Sequence, residues 1–331
     1  MSRSHRCLVV ALSVIAGLSL AACGRGRATA GPLATIPLGA FPLSAPSGIA
    51  LNPVTNRIYV AQGNAHVTVI DGGTNHTDTV SAGHFPNAVA VNPVTNRIYV
   101  ANGGSSSVTV IDGATQGAST VDVGGQPRAV AVNQVTNRIY VANGHSDSVS
   151  VIDGGTNRTD TVKVGTNPIT LVVNPATNKV YVANNHMEKH TDNTVTVIDG
   201  VTNSATTVTV GHDPVAIAVN TATNKIYVTN THSNNITIID GATNNTSSVE
   251  AGADPFAVAV NSATNRIYVA NQFGNNVMVI DGRTKQSRTL NVGIHPQALA
   301  VNQVTNKVYV VNYDNNTVTV ITGPRAKKPR R

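Results

Sequence analysis

The chain has 331 residues with a formal net charge of +7, and charged residues make up 12% of it, about half the usual share. Val, Thr, Asn and Ala are abundant, Trp is absent and Phe occurs four times, so the composition is β-rich and the core must be built from Val, Ile, Ala and Tyr. Nine of the 23 basic residues lie near the termini, and the 14 that remain face 16 acidic residues; the interior of the chain is therefore close to neutral at −2, which argues against a basic groove for nucleic acid.

Residues 1–22 differ from the rest. MSRSHR carries two arginines, an apolar run too short for a comfortable membrane span follows, and Leu20-Ala21-Ala22-Cys23 closes it. The segment resembles a bacterial lipoprotein signal peptide, which implies cleavage before Cys23 and a diacylglycerol on its thiol. Cys7 would leave with the signal, so no disulfide is expected in the mature chain. Residues 23–32 read as a basic linker. Gly24 is not the Asp associated with inner-membrane retention, so the expected location is a lipid-anchored site in the periplasm, on the outer membrane or on the outer cell surface.

From residue 33 to residue 323 one unit repeats. Tyr59, Tyr99, Tyr140, Tyr181, Tyr227, Tyr268 and Tyr309 mark it, at spacings of 40, 41, 41, 46, 41 and 41. A period near 40 residues fits a four-stranded propeller blade. The third unit divides into four strands separated by turn residues: RAVAVN (A), RIYVAN (B), SVSVID (C) and TDTVKV (D). The recurrent Asp-Gly pairs, such as Asp153-Gly154, read as hairpin turns in which glycine supplies a left-handed backbone. The last unit stops after strand C, while residues 34–40 match a strand D, so the N-terminal segment is expected to complete the last blade. The expected fold is all-β: a seven-bladed propeller of four-stranded antiparallel blades, with a basic tail at 324–331 suited to anionic lipid or to solvent.

Tyr227-Val228-Thr229-Asn230 and the Tyr-Val-Ala-Asn of most other units resemble the YVTN family of β-propeller repeat proteins of archaeal surface layers and bacterial envelopes. The resemblance implies the propeller and an envelope setting. It names no activity, because related propellers include binding proteins and enzymes of several kinds.

Function is sought where the repeat is broken. Eight of ten histidines fall on the face formed by the D–A and B–C loops. His84, His212 and His295 precede strand A. His145, His186 and His232 share one B–C slot, and His66 and His190 lie in B–C loops too. The fourth unit lengthens its B–C loop by five residues and sets His186, Glu188 and His190 at alternate positions. Imidazole and carboxylate so spaced suit a transition metal, zinc or copper, and His84, His145, His186, Glu188, His190, His212 and His232 are the candidate ligands. The competing reading is a solvated polar loop. Asp213, Asp254 and Asp314 are isolated on the same face, and their spacing does not say whether they converge. No GxSxG, HExxH, Walker or CxxC motif occurs.

Two functions stay open: a lipid-anchored, monomeric binding or interaction module at the envelope, its partner an envelope protein or a small ligand; and a metal- or cofactor-dependent enzyme or redox protein using the histidine face.

Overall fold

The structure is a computed structural model that describes residues 46–185 and 192–322. The signal peptide, Cys23, the linker, segment 34–40, the basic tail and the loop carrying His186, Glu188 and His190 lie outside the described residues. Among the described residues, twenty-seven strands, β1 to β27, form six four-stranded sheets and one of three strands. All pairings are between neighbours in sequence and antiparallel. The chain is a seven-bladed β-propeller.

The strand nearest the axis opens each blade: β1 (Pro46–Asn52), β5 (Pro86–Asn92), β9 (Pro127–Asn133), β13 (Pro168–Asn174), β17 (Pro214–Asn220), β21 (Pro255–Asn261) and β25 (Pro296–Asn302). Each packs on the next, from β1 on β5 through to β21 on β25. The third blade continues with β10 (Arg138–Asn143), β11 (Ser148–Asp153) and β12 (Thr159–Lys163), within a residue or two of the bounds read from the sequence.

The repeated Tyr-Val-Ala-Asn of strand B has a physical reason at each position. Ile139, Tyr140, Val141 and Ala142 are wholly buried, because B lies between A and C in its own sheet and is covered on both faces by the neighbouring blades. Tyr140 packs in one inter-blade core with Ala129, Val149 and Val180, whereas its neighbours Ile139 and Val141 face the other. Asn143 closes the strand and donates from Nδ2 to Ser148 Oγ (3.2 Å) and Ser150 Oγ (3.0 Å).

The asparagine of each A–B turn joins the blades. Asn56, Asn96, Asn137, Asn178, Asn224, Asn265 and Asn306 all take a left-handed φ of 51–52°, a conformation asparagine tolerates better than most residues. Six of them accept from the asparagine that ends strand A of the preceding blade, as in Asn92 Nδ2 to Asn137 Oδ1 at 2.8 Å. Arg57, Arg97, Arg138 and Lys179 add a bond each to a glycine carbonyl of a following blade.

The Asp-Gly pairs are turns, but not for the reason the dipeptide suggests. The left-handed residue of the third C–D turn is Asn157, with φ 60°. Asp153 Oδ1 accepts from the backbone N–H groups of Gly155 and Thr156 and from Thr156 Oγ1, at 2.8–3.0 Å. Gly154 is required by closeness: a Cβ there would lie 2.5 Å from Asn137 Oδ1 and 2.7 Å from the Asn137 carbonyl oxygen.

The two ends of the array meet differently from the other blades. Among the described residues, strand β27 (Thr317–Thr322) pairs only with β26 (Lys307–Asn312), and no packing comparable to that of the other innermost strands joins β25 to β1. Among the described residues Asn302 makes no bond to Asn56. Tyr309 is 37% exposed where the other six repeat tyrosines are 0–1% exposed. Ile49 and Leu51 on the first blade, and Val311, Val318 and Val320 on the last, are exposed as well. The strand expected at 34–40 would border this region, and it lies outside the described residues.

Candidate functional site

The D–A and B–C loops form one face, and two of their positions repeat in every described blade junction. The residue before the proline of strand A is left-handed, with φ between 49° and 55°: Phe85, Gln126, Asn167, Asp213, Asp254 and His295. The second lies two residues beyond the asparagine that ends strand B, and carries His145, His232, Phe273 and Asp314 in blades 3, 5, 6 and 7.

Hydrogen bonds tie the left-handed position to the B–C loops on either side of it. A B–C side chain of one blade accepts the N–H of the left-handed residue that follows: Asp147 Oδ1 from Asn167 (2.7 Å), Asn234 Oδ1 from Asp254 (2.9 Å), Asn275 Oδ1 from His295 (3.0 Å). The carbonyl of that residue then accepts from the next B–C loop: Asp213 from Thr231 (3.0 Å), Asp254 from Gln272 (2.8 Å), His295 from Tyr313 (3.0 Å). The left-handed residues are thus held by their own N–H and carbonyl groups, which fixes their order around the rim.

Over blades 5 to 7 that order alternates acid and imidazole. The buried Asp213 places Oδ2 against Nδ1 of the exposed His232. Asp254 comes next; burial pushes its carboxyl above the ordinary value, and His232 and His295 on either side partly offset this. His295 Nδ1 lies 2.6 Å from Asp314 Oδ2. Phe273 meets the His295 ring edge to face, centroids 5.5 Å apart and planes at 67°. Around this arc Phe273 is 65%, Tyr313 61% and Ile294 45% exposed.

The three acids that the sequence left isolated therefore stand in one arc, with His232 and His295 between them. The remaining candidates are dispersed. His84 and His145 are exposed in separate loops, and their backbone N–H groups donate to Ser105 Oγ and to the Gly125 carbonyl. His212 Nδ1 lies 2.9 Å from Asn193 Nδ2. Among the described residues no three His, Cys, Asp or Glu side chains gather as a metal site; His186, Glu188 and His190 lie outside them. What sequence reasoning missed is the aromatic part. Its signal was present in Tyr313, the one tyrosine out of the repeat register.

A cavity of about 340 Å³ runs along the axis, lined by strand A residues such as Val89, Ala129, Leu171, Val215, Phe256 and Leu299. Among the described residues its lining is apolar or neutral, with no titratable side chain. The loop face, by contrast, offers charge, imidazole and exposed aromatic surface.

No protein-family model matches the chain, and no curated protein matches it. Among solved structures it is similar to hydrazine synthase of Kuenenia stuttgartiensis, at 17% identity and a TM-score of 0.67, over 88% of this chain and 99% of that one. It is similar also to a chain of the mitotic checkpoint complex, at 14% identity and a TM-score of 0.67, over 92% of this chain and 100% of that one. At these identities the likeness speaks for architecture alone: both are β-propeller proteins, and so is this chain.

Proposed function

We propose that the protein is an interaction module that docks a protein partner on its loop face, across blades 5 to 7. The observation that carries this reading is the coincidence on one rim of Phe273, Tyr313 and Ile294, all exposed, with the acid–imidazole arc. Exposed aromatic side chains beside fixed polar groups are the usual anchors of protein interfaces. The likeness to a chain of a multiprotein checkpoint assembly is in keeping with a scaffold. A Phe273→Ala, Tyr313→Ala double variant is expected to lose at least thirtyfold in affinity for a partner captured by the wild type, about 2 kcal/mol. Val94→Ser, on the opposite face, is expected to leave it unchanged. Equal capture by all three proteins would place the interface elsewhere.

We place this module in the cell envelope, as a YVTN-type propeller anchored by lipid on Cys23. The signal-like residues 1–22 and the repeated Tyr-Val-Ala-Asn support that placement. Cys23→Ser is expected to move the protein from the membrane fraction to the soluble one, and mass spectrometry of the wild-type N-terminus to show the diacylglycerol.

A second reading is a zinc or copper centre completed by His186, Glu188 and His190. One observation favours it: the Asp213 carboxylate against His232 Nδ1 is the arrangement that orients imidazoles for metals. Calorimetry with each ion on the intact protein and on a His186→Ala, His190→Ala variant decides it. Binding no tighter than about millimolar, or unchanged in the variant, removes the metal reading.

A further inference from the structure

Arg128, the second residue of β9, stands on the inner side of the loop face. At the same place the other blades carry Ser47, Asn87, Ile169, Val215, Phe256 and Gln297, so the third blade alone puts a cation there. Room for it is made by glycine. A Cβ on Gly144, in the B–C loop of the same blade, would fall 2.5 Å from Arg128 Nε and 3.1 Å from Asn167 Oδ1.

The guanidinium is half-buried, and its polar partner is an amide. Nε and Nη2 both donate to Gln126 Oε1, at 3.1 and 2.8 Å. Those two bonds leave three of the five N–H donors that an arginine carries. Among the described residues no carboxylate pairs with it. Burial lowers its pKa and no neighbouring charge opposes the shift, as expected of a cation withdrawn from water without a counter-ion. Arg57, Arg97 and Arg138 differ: each reaches a glycine carbonyl of a following blade on the far face.

We propose that the Arg128 guanidinium is the receptor for a carboxylate group, carried either by a small organic acid or by an aspartate or glutamate side chain of a protein. A planar fork of N–H donors matches the two oxygens of a carboxylate. A phosphate dianion fits less well. It concentrates two charges on one group that faces a single cation, whereas a carboxylate presents one charge and two coplanar oxygens to the fork. The site is independent of the docking reading, because its test needs no partner.

The test is a titration of the intact, 15N-labelled protein with acetate, N-acetylglutamate N-methylamide, succinate and inorganic phosphate at constant ionic strength, following the arginine Nε–H resonances. The Arg128 resonance is expected to shift saturably with carboxylates, with Kd on the order of 10 mM or tighter, while those of Arg57, Arg97 and Arg138 stay still. Equal affinity for acetate and the glutamate derivative points to side-chain recognition; succinate binding about tenfold tighter than either points to a free organic acid. Arg128→Met is expected to abolish saturable binding in an independent calorimetric titration, and Arg128→Lys, which keeps the charge without the fork, to weaken it at least fivefold. The proposal is overturned if the wild-type Arg128 resonance moves no more than the other arginines do, or if phosphate binds tenfold tighter than acetate. The wild-type titration decides the matter even if a variant fails to fold.

Discussion

At the scale of single residues, the glycines and aspartates of the C–D turns do different work from what a dipeptide suggests. Gly154 is kept small by the Asn137 oxygens at 2.5 and 2.7 Å, so Gly154→Ala is expected to cost about 2–3 kcal/mol through forced displacement of a packed turn. Gly155 has only Asp153 Oδ1 at 3.3 Å, and Gly155→Ala should change stability by less than about 0.5 kcal/mol; urea denaturation of the two variants measures the contrast. The turn aspartates carry a pH prediction. Backbone and hydroxyl hydrogen bonds hold Asp71, Asp112, Asp153, Asp199 and Asp281 below the ordinary 3.8, and the Lys225 ammonium with backbone N–H groups brings Asp240 down to about 2. A depressed folded-state pKa gives stability that is fully present above the unfolded value and lost as the pH falls through the folded one. The melting temperature should therefore hold above pH 4 and drop between pH 4 and 2, with Asp240→Asn flattening part of that drop. A melting curve unchanged down to pH 2 would contradict the assignment.

At the scale of the strand, the repeated tyrosine of strand B, buried in six blades and 37% exposed in the seventh, lets one substitution probe seven sites. Tyr140→Ala should cost about 3–5 kcal/mol, the usual range for a large aromatic removed from a full core. Tyr309→Ala should cost clearly less, about 1–2 kcal/mol, because that ring is 37% exposed; equal costs would mean that the last blade is as well covered as the third. The strands were legible in the sequence because alternation of period two and turn residues recur in every unit, and repetition turns a weak local signal into a strong one. The arc of Asp213, His232, Asp254, His295 and Asp314 was not. Its members lie in loops of different blades, and their meeting depends on left-handed residues such as Asp213, with φ 55°, and His295, with φ 52°, which no periodicity announces. Arg128 was hidden in the opposite way, inside a strand whose pattern it does not disturb.

At the scale of the whole molecule, the region between the last blade and the first is where strand residues of the end blades are exposed. Strand β27 has an unpaired edge among the described residues, and exposed edges invite pairing with other chains. If residues 34–40 take that edge, a truncation starting at Ser47 should melt at least 10 °C lower than the chain that keeps them and should aggregate on heating; equal melting temperatures would remove the N-terminal strand from the fold. The inter-blade asparagine bonds also bear on what the ring can carry. Asn174 and Asn224 span 50 positions and still bond at 2.9 Å, as Asn92 and Asn137 do across 45 positions at 2.8 Å. Five added residues in the fourth B–C loop thus leave the contact between neighbouring blades unaltered. The ring behaves as a graft-tolerant chassis: a peptide epitope of similar length spliced into the B–C loop of the second or third blade should be displayed on the loop face at no cost to assembly, which makes each of these loops an independent port for engineering new recognition.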